Sequence, residues 1–126
     1  MESRNTYAGA VENARHFVAD DLLGIDVATA STDGTVLVVP DGEIDCVTAP
    51  VLRLALVSAL RTPCIRIVVD LAAVTFLNSA GLTVLAEAHH LARADGIDLT
   101  VRGGSRTVVR PLHITGLWEL LAEPTG

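Results

Sequence analysis

Two spacings of hydrophobic positions alternate along the chain, and they predict strands and helices in turn. Residues 65–70 form a nearly continuous β-branched run, which is typical of a strand buried on both faces. After a short loop, apolar side chains recur at helical spacing up to about Asp95, which predicts an amphipathic helix that begins near Ser79. This strand, loop and helix are the best-defined stretch of the sequence.

The flanking segments follow the same two periods. Residues 25–30 and 35–40 are predicted strands, joined by a hairpin turn at Asp33-Gly34 and ended by Pro40. Further along, the pattern predicts a helix over residues 51–60, a strand over 97–102, a helix over 106–113 and an apolar turn over 117–121. The order β-β-α-β-α-β-α predicts one α/β domain over residues 25–123. Its sheet would be mixed, with about four strands, and covered by helices.

Residues 1–24 are predicted to form an N-terminal extension. A stripe at helical spacing favours a helix there, formed by Tyr7, Val11, Ala14, Val18 and Leu22. Two roles remain open for this helix, a cap on one end of the domain or an arm for dimerisation or partner docking. The general rule that amphipathic stripes face a core favours the cap.

Composition restricts the function classes. A chain of 126 residues fits one domain, and its four aromatic residues leave the core to Val, Leu, Ile and Ala. A formal charge of −6, with nine arginines and no lysine, argues against nucleic acid as a direct partner. No apolar run approaches the length of a membrane span, and Cys46 and Cys64 suit reduced thiols. We expect a soluble, cytoplasmic protein without a cofactor.

Catalytic groups are sparse in this sequence. Ser79 is the candidate nucleophile, but it lacks a Gly-x-Ser-x-Gly elbow. His89 lies about 15 Å along the same predicted helix, too far to act as its base. We therefore expect no enzymatic activity and no catalytic residues.

Other polar clusters have simple structural interpretations. Four carboxylates could line one end of the sheet, and we expect them to be solvated or to cap turns rather than to bind a metal: Asp41, Glu43, Asp45 and Asp70. His89 and His90 should point to different sides of a helix, which disfavours a paired metal site. Three arginines, Arg102, Arg106 and Arg110, are expected to be a solvated basic face. From the residues alone, Ser79 is most simply an N-cap, as Asn78 could also be.

Two motifs carry a family resemblance. The segment Phe76-Leu77-Asn78-Ser79-Ala80-Gly81-Leu82 resembles the signature of the STAS domain, as found in anti-sigma factor antagonists. Upstream, Gly42-Glu43-Ile44-Asp45 is similar to the family's turn before its first helix. Together with Asp70-Leu71 at the end of the central strand, these motifs extend the resemblance over roughly residues 30–121. The family's phosphorylated serine falls on Ser79, and its usual aspartate falls on Asn78, which is a departure.

The resemblance implies a partner-switching regulator rather than an enzyme. It implies that the unphosphorylated chain binds an anti-sigma factor with a kinase-type ATP fold, and that phosphorylation of Ser79 releases it. The residues it places at the partner contact are Asn78, Ser79, Ala80, Gly81, Leu82, Glu43 and Asp45. A monomer or weak homodimer with no membrane partner is expected. Two alternatives remain open: a non-phosphorylated STAS scaffold in a stress-signalling complex, and a module that binds a small ligand or nucleotide.

Overall fold

A computed structural model describes residues 11–30 and 33–123, with side chains described for residues 14–29 and 33–123. Within these residues the chain forms six strands and four helices. Their order is β1 Val11–Ala19, β2 Leu23–Ala30, β3 Thr35–Ile44, α1 Ala49–Leu60, β4 Arg66–Asp70, β5 Ala73–Leu77, α2 Ser79–Ala94, β6 Asp98–Arg102, α3 Arg106–Thr115 and α4 Leu117–Leu121.

All six strands belong to one mixed sheet. Its order is β1-β2-β3-β4-β6, and β5 pairs with β3. The first two pairs are antiparallel, and the pairs that involve β4, β5 and β6 are parallel. Strand β3 changes its parallel neighbour partway, because residues 35–38 pair with β4 and residues 41–44 pair with β5. The predicted α/β class, with an antiparallel hairpin followed by helix-linked parallel strands, is confirmed.

The prediction of a helix in the N-terminal extension is wrong for residues 11–19, which form strand β1. Residues 1–10, including Tyr7, lie outside the described part of the chain. Strand β1 pairs antiparallel with β2 almost throughout its length. Burial follows a period of two, since Arg15 and Phe17 are half-buried whereas Ala14, His16 and Val18 are exposed. The helical stripe included two of those exposed residues. As a strand, this segment pairs with the edge of β2 and packs Phe17 against the core.

Strand β5 was predicted as a loop. Val74 and Leu77 from it are buried, and it pairs with the last residues of β3, beyond the point where β4 stops pairing. Pro40 also lies inside β3 instead of ending it. It falls in the gap between the β4-paired and β5-paired parts of β3, so its missing N–H removes little from either parallel ladder. With β1 and β5 added, the sheet has six strands rather than about four.

Helices α1 and α2 pack together and bury the aliphatic core against the sheet. Leu52 and Leu56 from α1 and Leu85 from α2 are fully buried beside Ile67 and Val69 of β4. Each such side chain contributes about 1.5–3 kcal/mol when removed from water. Aliphatic burial therefore holds the sheet in place, and the sheet positions the loops at its carboxyl ends.

Candidate functional site

The candidate site lies where the carboxyl ends of β3 and β5 meet. Glu43 faces Phe76 across the parallel pair, and Ile44 faces Leu77. The Asn78 N–H donates to the Ile44 carbonyl at 3.2 Å, so the loops that leave the two strands begin side by side. We call the exposed side chains here the Ser79 surface, formed by Glu43, Val47, Phe76 and Ser79.

Asn78, not Ser79, caps helix α2. Its backbone is extended, and its side-chain oxygen accepts from the Ala80 N–H at 3.0 Å. Ser79 is the first helical residue; it is exposed, and its carbonyl accepts from the Thr83 hydroxyl at 3.0 Å. The Ser79 hydroxyl has no hydrogen bond within the described residues. The N-cap interpretation of Ser79 is therefore wrong, and its hydroxyl is open to solvent at a helix N-terminus, where the amides and dipole favour negative charge.

The loop between β3 and α1 is fixed by an internal network. One Asp45 carboxylate oxygen accepts from the Val47 N–H at 2.9 Å and from the Thr48 N–H at 3.1 Å. The buried Thr48 hydroxyl donates to the Glu43 carbonyl at 2.7 Å and accepts from the Asp45 N–H at 2.9 Å. Asp45 thus holds the loop's shape, whereas the Glu43 side chain is exposed and projects from it.

Gly81 and Leu82, expected at a partner contact, face the core instead. A Cβ atom at Gly81 would lie 2.4 Å from Leu77 Cδ1 and 2.6 Å from Ile44 Cγ2. Leu82 is buried, and Ala80 is half-buried. On a helix that begins at Ser79, positions 81 and 82 turn toward the sheet while 79 and 83 turn outward. Bulk at position 81 is therefore limited by packing inside the domain.

Two apolar residues of the Ser79 surface were not among the predicted contacts. Phe76 is 47% exposed and Val47 is 65% exposed. Only a partner or a rearrangement of the domain would cover these two apolar side chains. Phe76 is one of four aromatic residues in the chain and stands three positions before Ser79. An aromatic residue so close to Ser79 is a sequence signal for a contact surface, but its exposure follows only from its place in strand β5.

The remaining polar groups have structural partners or stand apart. The Asp70 carboxylate accepts from the Ala72 N–H at 3.0 Å and lies 3.6 Å from the Arg102 guanidinium, so it holds a turn. Among the described residues, no three potential ligands group to hold a metal ion. His89 and His90 do face different environments: the His89 ring nitrogens are buried without a hydrogen bond, and His90 is exposed.

The cysteines differ in environment. Burial raises the pKa of the Cys64 thiol, which favours its protonated form at neutral pH. Its sulfur lies 3.8 Å from the Ala59 carbonyl, at the end of α1. Cys46 is exposed in the loop between β3 and α1. Within the described residues, no helix is both long and apolar enough to cross a membrane.

The mixed sheet carries, at the carboxyl ends of its parallel strands, a capped helix whose first residue is an exposed serine. This is the architecture of a STAS domain. The STAS family model matches residues 26–125, and the chain belongs to that family. The resemblance predicted from the two motifs is confirmed.

Its relatives are anti-sigma factor antagonists. The anti-sigma-F factor antagonist RsfB of Mycobacterium tuberculosis is 33% identical over 94 residues, which are 74% of this chain and 75% of RsfB. The crystal structure of an anti-sigma factor antagonist from Mycobacterium paratuberculosis is 37% identical, with a TM-score of 0.68 over 85% of this chain and 90% of that one. Unphosphorylated SpoIIAA shares the fold at 19% identity, with a TM-score of 0.67 over 80% and 88% of the two chains.

Proposed function

We propose that this protein is an anti-sigma factor antagonist that works by partner switching at the Ser79 surface. One observation carries the proposal: the Ser79 hydroxyl is exposed at the first position of α2 and is not used to cap the helix. Because Asn78 supplies the cap, the hydroxyl can be modified without loss of a structural hydrogen bond. The relatives named above support the class of partner, an anti-sigma factor.

The chemistry of the surface suits a phosphate switch. A neutral hydroxyl on a surface that also exposes Phe76 and Val47 can be buried against a partner at little cost. A phosphate adds about −1.5 to −2 charge at neutral pH, on a surface that also carries the exposed Glu43 side chain. Repulsion and desolvation then oppose binding, whereas the N-terminus of α2 tolerates the phosphate in the free domain.

The proposed roles place catalysis in the partner. The chain would be the substrate of an anti-sigma factor with a kinase-type ATP fold, with no catalytic residue or cofactor of its own. Such a regulator would act in the cytoplasm, as a monomer or weak homodimer. Asn78 keeps one alternative in view, a scaffold that binds without phosphorylation, because the residue is neutral where the family usually carries aspartate.

The test is a binding titration of one ATP-fold anti-sigma factor against three proteins. We expect the wild type to dissociate after incubation with ATP, Ser79→Ala to stay bound, and Ser79→Glu to fold but bind at least about tenfold more weakly. Intact-mass analysis and peptide mapping should place any phosphate on Ser79 rather than on Thr75, Thr83 or Ser105.

Thr107→Glu is the matched control, because it adds the same charge in the first turn of α3, at an exposed position. Circular dichroism confirms the folding of each variant. Equal binding by wild type, Ser79→Ala and Ser79→Glu contradicts the phosphate switch and leaves the scaffold alternative.

A further inference from the structure

A cleft separates strand β1 from the carboxyl-terminal turns of α1. Its volume is about 440 Å³, within the range of small-molecule sites, and we call it the Arg15 cleft. Phe17 and Leu54 form apolar parts of its wall, and Arg15, Ser58, Arg61 and Thr62 supply the polar part. Arg15 and Phe17 precede residue 26, where the STAS match begins, so one wall of the cleft lies outside the matched family region.

Arg15 is held in position before any ligand arrives. Its Nη2 donates to the Thr62 hydroxyl at 2.9 Å, and that hydroxyl donates to the Ser58 carbonyl at 3.0 Å. The Arg15 Nε is buried and has no hydrogen-bond partner. A guanidinium fixed at one edge, with donors left over, binds an anion at a smaller entropic cost than a free arginine does.

The cleft is electropositive in a chain of net charge −6. Within the described residues, neither Arg15 nor Arg61 forms an ion pair, and no carboxylate lines the cleft. By contrast, Arg53 on the same helix pairs with Glu87. Two unpaired guanidinium groups beside an apolar wall are an arrangement that attracts an anion from solution.

Capping of α1 does not account for the two arginines. The carbonyls of Val57 and Ala59 accept from the backbone N–H groups of Arg61 and Thr62, and the Ser58 carbonyl accepts from the Thr62 hydroxyl. These three carbonyls of the last turn are therefore satisfied by groups other than guanidinium. A helix C-terminus carries only about half a negative charge, less than two arginines supply.

We propose that the Arg15 cleft binds a small organic anion, a carboxylate or phosphate monoester that carries an apolar chain or ring. The headgroup lies against the guanidinium groups of Arg61 and Arg15, with the Ser58 hydroxyl as a further donor. The apolar part lies against Phe17 and Leu54. This site is separate from the Ser79 surface and does not depend on the proposed anti-sigma function.

The experiment is a ¹H–¹⁵N NMR titration of the full chain with decanoate and with phenyl phosphate, which distinguish the two headgroups. Decylammonium and phenol are the matched probes without negative charge. We expect at least one anion to saturate, with shift changes concentrated in residues 15–17 and 57–62. Arg61→Gln should weaken that binding by about tenfold or more, since it removes one of two charges.

Arg110→Gln, an exposed arginine on α3, and Ser79→Ala should leave the affinity within about twofold of wild type. Arg61 is exposed, so Arg61→Gln should remain folded, and its NMR spectrum reports this directly. The proposal is overturned by any of three results: binding of neither anion saturates below about 5 mM, decylammonium binds as tightly as the anions, or Arg61→Gln binds them like wild type.

Discussion

At Gly81 the first turn of α2 approaches the strand ends so closely that a methyl group has no room. We expect Gly81→Ala to lower the free energy of unfolding by about 1–3 kcal/mol, because overpacking against Leu77 and Ile44 outweighs the gain in helix propensity. Gly81→Val should unfold the domain or destabilise it further, because its larger side chain meets the same two neighbours.

Urea denaturation measures the effect, with Ser79→Ala as the control in the same turn of α2. That variant removes an exposed hydroxyl and should change stability by less than about 0.5 kcal/mol. A Gly81→Ala protein as stable as wild type would show that the strand ends can move apart, and it would contradict the overpacking expected at position 81.

At the scale of the element, helix α2 depends on one cap. We expect Asn78→Ala to cost about 1 kcal/mol of stability, because the Ala80 N–H loses its acceptor. Asn78→Asp should keep the cap and add a few tenths of a kcal/mol through the helix dipole. Denaturation of the two variants tests this, and an Asn78→Ala protein with wild-type stability would show that the cap contributes nothing.

The same substitution bears on the switch. If the family's usual aspartate assists the kinase, Asn78→Asp should raise the rate of Ser79 phosphorylation by the anti-sigma factor. The rate is followed by intact mass over time, with Asn78→Ala alongside to separate charge from capping. An unchanged rate for Asn78→Asp would assign residue 78 to the cap alone.

Elements whose signal is local could be predicted from the sequence. Helices α1 and α2 and strands β4 and β6 carry their own periodicity, and Gly96 ends α2 with a positive φ of 72°. Strands β1 and β5 could not be predicted in this way, because their extended conformation depends on pairing with β2 and β3. The position of Ser79 was predictable from its motif, but its exposed neighbours Phe76 and Val47 depend on β5 and on the loop after β3.

At the scale of the whole molecule, the question is whether the domain begins at β1 or after it. It forms one edge of the sheet and packs Phe17 against the core, although the STAS match starts at residue 26. We expect removal of residues 1–19 to cost about 2 kcal/mol or more, since Phe17 burial and a full strand ladder are lost. The uncovered edge of β2 should also promote self-association.

Removal of residues 1–10 is the matched truncation, because it keeps all of β1, and the difference between the two proteins isolates that strand. Urea denaturation gives the stability and sedimentation velocity the association state. Equal stability of both truncations would place the start of the domain after β1 and make β1 an accessory strand.

The meeting of β3 and β5 at their carboxyl ends has a consequence for any attempt to imitate this protein. The Ser79 surface draws Glu43 and Val47 from one segment and Phe76 and Ser79 from another, about thirty positions later. Only the pairing of β3 with β5 brings these residues together. Closing the long segment between the two strands has an entropic cost, and folding of the whole sheet offsets that cost. A linear peptide of residues 76–82 would carry the serine without the surface. We therefore expect this peptide to compete poorly with the whole domain for the partner. A small-molecule mimic would have to present groups equivalent to both segments of the Ser79 surface.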